Sequence, residues 1–187
     1  MKKQICFFLF LCILPATSAV RAQPRVLVVY YSQTGRTKAM AEAVARGAKP
    51  ATVILKTVSE ATPADVLAAD AIIVGSPVHN ANVAPEVQAF INRWPFEGSP
   101  LKDKIGAAFV TGGGISGGEE LVQVNILHSM LVFGMVVVGG PEWTGAFGAS
   151  AITVEPPFDS KTVDDRFLKK AESLGKRVAE IAARMKR

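Results

Sequence analysis

Cysteine and histidine are scarce in this sequence. Its 187 residues include two cysteines, Cys6 and Cys12, and two histidines, His79 and His128. Both cysteines lie near the N-terminus, in a segment that we expect to be removed. The remaining chain then has no thiol for disulfide formation or for nucleophilic chemistry. We also predict no metal site.

The apolar run at the N-terminus is short. Ile5–Leu14 falls below the ~20 apolar residues that a membrane helix needs. This run follows a basic start and precedes small residues, which is the pattern of a secretory signal peptide at residues 1–22. Cleavage is predicted after Ala22, with Ala19 as the alternative. Residues 23–187 then form one domain of a periplasmic or secreted protein.

The sequence lacks a strong charge of either sign. Its net charge is +5, and Lys2, Lys3 and Arg21 of the predicted signal peptide contribute three of these charges. The mature chain is therefore close to neutral, and we predict no nucleic-acid partner. Basic residues near the C-terminus are interpreted as the solvated face of a helix, whose end they suit electrostatically.

Strand and helix patterns alternate along the rest of the chain. Arg25–Tyr31 is a continuous apolar run, which is typical of a strand buried on both faces of a parallel sheet. Further strands are predicted at Thr52–Thr57, Asp70–Gly75, Ile105–Thr111 and Met135–Gly139, and helices at Lys38–Ala48, Pro63–Ala68, Ala84–Trp94, Glu119–Phe133 and Val163–Lys186. The alternation predicts an α/β fold with helices on both faces of a five-stranded parallel sheet. Such sheets bind ligands at the carboxyl ends of their strands.

The loop after the first strand combines hydroxyls, a glycine and the start of a helix. The candidate cofactor-binding residues here are Ser32, Gln33, Thr34, Gly35, Arg36 and Thr37. Backbone N–H groups, side-chain donors and the helix dipole together favour a bound phosphate. No Gly-Lys-Ser/Thr follows, which argues against a nucleoside-triphosphate loop. The alternative is an ordinary turn in which Thr37 caps the helix.

The loop after the third strand contains a proline together with small residues and residues with amide side chains. A rigid backbone of this kind can approach a flat ring, and amide side chains can bind its polar edges. The candidate cofactor-binding residues are Ser76, Pro77, Val78, Asn80 and Asn82. His79 is the candidate catalytic residue, and the alternative is a solvated histidine without a role in the chemistry.

The loop after the fourth strand is rich in glycine. Thr111, Gly112, Gly113, Gly114, Ile115 and Ser116 are candidates for binding the cofactor, because backbone N–H groups there can face a ring that becomes negatively charged on reduction. A dinucleotide fingerprint is disfavoured, since that motif follows the first strand of its unit. The loop also resembles a serine-hydrolase elbow, but His128 comes too soon after it to complete a triad.

The three loops together resemble the flavodoxin-like superfamily. The motifs are Ser-Gln-Thr-Gly-Arg-Thr at 32–37, Gly-Ser-Pro-Val-His-Asn-Ala-Asn at 75–82 and Thr-Gly-Gly-Gly-Ile-Ser-Gly-Gly-Glu-Glu at 111–120. They are most similar to NAD(P)H:quinone oxidoreductases of the tryptophan-repressor-binding-protein type. The resemblance implies a three-layer sandwich with strand order 2-1-3-4-5 and bound FMN. It also implies that NADH or NADPH donates hydride, which reaches a quinone through the flavin N5 atom.

Two positions differ from that type of enzyme. It has an aromatic residue where Thr34 stands and a histidine where Phe133 stands.

The predicted helix Glu119–Phe133 is apolar on nearly every side, so we expect a homo-oligomer. The alternative function is an exported flavodoxin-type electron carrier that exchanges electrons with a redox partner protein.

Overall fold

The computed structural model describes residues 23–186. The predicted signal peptide, residues 1–22, lies outside this part of the chain. Within the described residues, no helix has the length and apolar character needed to cross a membrane. The elements are β1 (Arg25–Tyr30), α1 (Arg36–Gly47), β2 (Thr52–Thr57), α2 (Pro63–Ala68), β3 (Ala71–His79), β4 (Asn82–Val83), α3 (Pro85–Ile91), β5 (Ile105–Gly112), α4 (Glu119–Val132), β6 (Val136–Val137), a 3-10 turn (Trp143–Gly145), β7 (Ala149–Ile152) and α5 (Asp165–Met185).

The central sheet has the predicted order. Its hydrogen-bonded path is β2-β1-β3-β5-β6, and all neighbours along this path are parallel. β7 pairs in parallel with the far end of β5, beyond the part that pairs with β6. With β6 and β7 taken as two halves of one edge strand, the order 2-1-3-4-5 and the three-layer α/β fold are confirmed.

The fifth strand differs from the prediction. The sequence predicts one strand at Met135–Gly139, whereas β6 covers only Val136–Val137 and β7 is absent from the prediction. After Val138 the chain leaves the sheet and forms a loop, in which the Gly140 N–H donates to the Gly145 carbonyl at 2.7 Å. The chain then returns at Ala149 and resumes pairing with β5.

The helices divide between the two faces of the sheet, as predicted. Successive side chains of β1 alternate between the faces: Val28 packs in the core under α1 and α5, and Val29 in the core under α2, α3 and α4. Because both faces are covered, β1 and β5 are buried along nearly their whole length. The ends of these strands are therefore held rigidly, which fixes the loops that follow them.

Candidate functional site

The loop after β1 leads directly into the open end of α1. The helix begins at Arg36, two residues earlier than predicted, and its N-cap is Gly35 with φ +84°. A residue with a Cβ is disfavoured in this left-handed conformation. The first intrahelical bond runs from the Ala39 N–H to the Gly35 carbonyl at 3.0 Å, so the N–H groups of residues 36–38 have no helical acceptor. The first turn carries no acidic side chain, which leaves the positive end of the helix dipole open to an anion.

Thr37 connects the first loop to the third. Its side chain is buried, and its Oγ1 lies 2.8 Å from the Oγ1 of Thr111, which is also buried. The preceding residues Gln33, Thr34 and Gly35 are exposed. The Ser32 Oγ accepts a hydrogen bond from the Gly35 N–H at 3.1 Å and so shapes the turn. The hydroxyl pair thus sets the distance between the helix end and the glycine-rich loop.

Arg36 is held by a distant part of the chain. Its Nη2 donates to the Ser160 carbonyl at 3.3 Å, across the segment that follows β7. Its Nε atom is buried and has no hydrogen-bond partner among residues 23–186. The guanidinium group therefore lies beside the first loop, but part of its hydrogen-bonding capacity is already used.

The second loop is a hairpin that extends β3. Val78 and His79 pair in antiparallel fashion with β4, where the sequence predicted an open loop. The buried Ser76 hydroxyl accepts from the Ala84 N–H at 3.0 Å and donates to the Pro77 carbonyl at 2.7 Å. It therefore fixes the base of the hairpin and is not exposed to a ligand.

The hairpin tip is a tight turn. Asn80 and Ala81 both have positive φ, and the Asn82 side chain donates to the Asn80 carbonyl at 2.8 Å. Ala81 packs directly against Gly118 at the end of the third loop. The second and third loops therefore contact each other, as expected for one shared site.

His79 belongs to a small polar cluster that the sequence did not predict. Its ring lies edge-on to that of Tyr31, with the centroids 6.3 Å apart. The hydrogen bond to Glu86 raises the pKa of the Tyr31 hydroxyl. The pKa of the Glu86 carboxyl is lowered by its own backbone N–H, by the Tyr31 hydroxyl and by the nearby His79. The cluster joins the first loop, the hairpin and the start of α3.

The third loop is bound to the segment that follows β7. The Gly112 carbonyl accepts from the backbone N–H and the hydroxyl of Thr153, both at 3.0 Å. The Ile115 N–H donates to Glu155 Oε2 at 2.6 Å, and the Ser116 N–H to Glu119 Oε1 at 3.2 Å. Two N–H groups of this loop are therefore satisfied by the chain's own carboxylates.

The assembled site fits a phosphate-bearing flavin such as FMN. The open start of α1 and the hydroxyls of Ser32, Thr34 and Thr37 suit a phosphate dianion, because all of them can donate hydrogen bonds. Next to this end, the hairpin and the glycine-rich loop provide two backbone walls in contact with each other. The structure thus brings all three predicted loops together at the carboxyl edge of the sheet.

Comparisons with known proteins agree with this geometry. The family model for NADPH-dependent FMN reductase matches residues 24–150. An NAD(P)H dehydrogenase (quinone) of Gluconacetobacter diazotrophicus is 33% identical over an alignment of 198 positions, and this alignment covers 86% of this chain and 98% of the relative. A flavodoxin of Aquifex aeolicus is 36% identical over 172 residues, which cover 85% of this chain and 87% of the relative.

Solved structures share the fold. A WrbA-like flavodoxin from Agrobacterium tumefaciens superposes with a TM-score of 0.71 at 24% identity, over 88% of this chain and 99% of that one. A flavodoxin from the domain Archaea gives a TM-score of 0.67 at 27% identity, over 84% of this chain and 98% of that one. The predicted flavodoxin-like fold is confirmed. With the family model matching more than half of its length, the chain belongs to the NADPH-dependent FMN reductase family.

Proposed function

We propose that this protein binds FMN and transfers hydride from NADH or NADPH to a quinone. The observation that carries the proposal is the open start of α1, whose free N–H groups adjoin the hydroxyls of the first loop. Membership of the family and the similarity to NAD(P)H dehydrogenases (quinone) support the same reaction.

The first loop binds the cofactor through its phosphate. The N–H groups of residues 36–38, which have no helical acceptor, would bind the phosphate, and the Thr34 and Thr37 hydroxyls would add side-chain donors. These donors hold the phosphate and take no part in electron transfer. The hairpin and the third loop, which contact each other through Ala81 and Gly118, would orient the ring and shield it from water.

The chemistry that FMN supplies when bound is hydride transfer at its N5 atom. Reduction of a quinone also needs a proton at the quinone oxygen. His79 is the candidate donor, because it lies on the hairpin beside the predicted ring position. The edge-on contact with the Tyr31 ring positions its imidazole.

Steady-state turnover tests the proposal. The protein reconstituted with FMN is assayed with NADH or NADPH against a soluble quinone, and we expect ping-pong kinetics because donor and acceptor use one site in turn. His79→Asn retains a similar size and tests proton donation: kcat should fall while FMN affinity stays unchanged. Loss of FMN affinity in this variant would assign His79 to binding instead.

A flavodoxin-type electron carrier is the second candidate function. The similarity to the Aquifex aeolicus flavodoxin favours it, as does the predicted export of the chain away from cytoplasmic nicotinamides. Carrier flavodoxins are generally strongly acidic, whereas this chain without residues 1–22 is slightly basic, which favours the enzyme. Absence of turnover with both nicotinamides, together with fast electron exchange with a redox protein, would establish the carrier.

We further propose that the protein is exported and that the mature chain begins near Gln23. The basic start and the small residues before Gln23 support this assignment, and β1 begins at Arg25, so cleavage removes no described element. Intact-mass analysis of periplasmic and cytoplasmic fractions tests it. A full-length protein confined to the cytoplasm would contradict the proposal.

We also propose a homo-oligomer that buries the outer face of α4. Leu121, Leu131 and Val132 are 52%, 51% and 70% exposed, and large apolar side chains of this kind favour a subunit contact. Light scattering coupled to gel filtration should give a multiple of the monomer mass, and a Leu131→Glu/Val132→Glu double variant should give a monomer. A monomeric wild type would disprove this assembly.

A further inference from the structure

Glu155 places a carboxylate directly on the glycine-rich loop. It follows β7, and its Oε2 accepts a hydrogen bond from the Ile115 N–H at 2.6 Å. The same oxygen lies only 2.7 Å from where a Cβ would stand at Gly114. A side chain at position 114 would therefore displace the carboxylate from its present place, so the absence of a Cβ there allows this close approach.

The backbone around Glu155 is hydrogen-bonded to the glycine-rich loop. The N–H groups of Val154 and Glu155 both donate to the Gly113 carbonyl, at 3.0 and 2.9 Å. The Phe158 N–H donates to the Glu155 carbonyl at 2.8 Å and closes a turn. The main chain thus holds the carboxylate within reach of the Ile115 N–H, and only side-chain rotation is needed to release it.

The surroundings of this carboxylate are apolar and uncovered. Ile115 and Val154 flank it, and each is 59% exposed. Exposed apolar side chains beside a hydrogen-bond donor are the features that a flat, partly polar ring would cover. The Ile115 N–H is therefore placed to bind an oxygen of a flavin ring, but Glu155 already occupies it.

We propose that Glu155 is an internal competitor for the flavin ring. Its carboxylate must leave the Ile115 N–H before the ring can bind there. The loop therefore has two forms: a closed form, in which Glu155 accepts the Ile115 hydrogen bond, and an open form, in which this N–H is free. This inference rests on the proposed binding of FMN. The apparent affinity for flavin is reduced by the fraction of molecules in the open form, and an open fraction of about one tenth weakens binding about tenfold.

Flavin titration of variants tests the competition. Glu155→Ala removes the competitor and should bind FMN about tenfold more tightly than wild type, since all molecules are then open. Glu155→Gln retains a weaker, neutral acceptor and should lie between the two. Riboflavin should gain by the same factor as FMN, because the competition concerns the ring and not the phosphate. Quenching of flavin fluorescence by the apoprotein measures each dissociation constant.

A matched control separates the hydrogen bond from charge alone. Glu120 is an exposed carboxylate at the start of α4, close to the same loop, and within residues 23–186 its carboxylate accepts no hydrogen bond. Glu120→Gln removes the same charge and should leave flavin affinity unchanged. An equal gain in Glu120→Gln and Glu155→Gln would attribute the effect to electrostatics and overturn the competition.

Thermal unfolding distinguishes a competitor from a structural residue. The flavin-free Glu155→Ala protein should unfold at a lower temperature than wild type, because Ile115 has lost its acceptor. Saturating FMN should raise its unfolding temperature by more than that of wild type. Weaker flavin binding together with lower stability would show that Glu155 builds the site, and unchanged flavin affinity would also overturn the inference. Failure of the wild type and all variants to bind any flavin would refute the proposed function itself.

Discussion

The hydroxyl of Thr37 provides a selective test of the phosphate site. Thr37 is 2% exposed, and its Oγ1 shares one hydrogen bond with Thr111 Oγ1, 2.8 Å away. When Thr111 donates in this pair, the Thr37 proton remains free for an anion at the start of α1. Thr37→Val retains the shape of the side chain and removes only the hydroxyl, while the N–H groups of residues 36–38 stay in place.

Two separate free energies follow from this change. Loss of one hydrogen bond to a charged acceptor costs about 1.5–3 kcal/mol, which weakens FMN binding roughly 10- to 150-fold. Riboflavin has no phosphate, so its affinity should remain within about twofold of the wild-type value. The flavin-free protein should lose about 1–3 kcal/mol of unfolding free energy, because the buried Thr111 hydroxyl is left without a partner.

Thr111→Val is the matched control for this variant. It disrupts the same hydroxyl pair and should cost similar stability, but it leaves the Thr37 hydroxyl available to the phosphate. Fluorescence titration gives the dissociation constants of FMN and riboflavin for each variant, and urea unfolding of the apoprotein gives its unfolding free energy. Equal losses for FMN and riboflavin in Thr37→Val would show that this loop does not hold the phosphate. Thr34→Ala should resemble Thr37→Val in flavin binding without its loss of stability.

Three further changes have defined outcomes. Arg36→Ala should weaken FMN binding less than Thr37→Val does, because the guanidinium is already held by the segment after β7. Added salt should reduce the effect of Arg36→Ala. A larger loss of affinity than in Thr37→Val would assign phosphate binding mainly to Arg36. Gly75→Ala would place a methyl group in steric overlap with Cζ of the buried Phe109 ring and should cost about 1–3 kcal/mol in urea unfolding. An unchanged midpoint would contradict this packing. Hydrogen bonds from Lys56, and next from the Thr62 hydroxyl and backbone N–H, lower the pKa of Asp65 to about 2. The stability lost in Asp65→Asn should therefore be constant above pH 3.8 and shrink as the pH falls toward 2. A pH-independent difference would contradict these contacts.

The regular part of the fold is readable from the sequence because its signals are local. Arg25–Tyr30 is a continuous apolar strand in the pattern and in the structure, since both of its faces are covered. The edge of the sheet is not readable in this way. β7 consists of four mostly small residues, and it exists only because it pairs with Phe109–Gly112, some 40 positions earlier. Its place depends on where the loop after Val138 returns to the sheet.

The site shows the same division between local and distant signals. The hydroxyls and glycines of the three loops are visible because they cluster within a few positions of a strand end. Glu86 and Glu155 carry no such signal, since each reaches the site from a different segment of the chain. Tyr31 is the exception: it directly precedes the first loop, and its position there is the one sequence signal for the cluster around His79.

Anaerobic mixing of the FMN-loaded protein with NADH or NADPH tests the central claim most directly. The flavin absorbance should bleach to the two-electron-reduced level with at least one nicotinamide, and addition of one equivalent of a soluble quinone should restore it. A flavin that stays oxidised with both nicotinamides, in a protein that binds FMN tightly, would contradict the assignment as an NAD(P)H:quinone oxidoreductase.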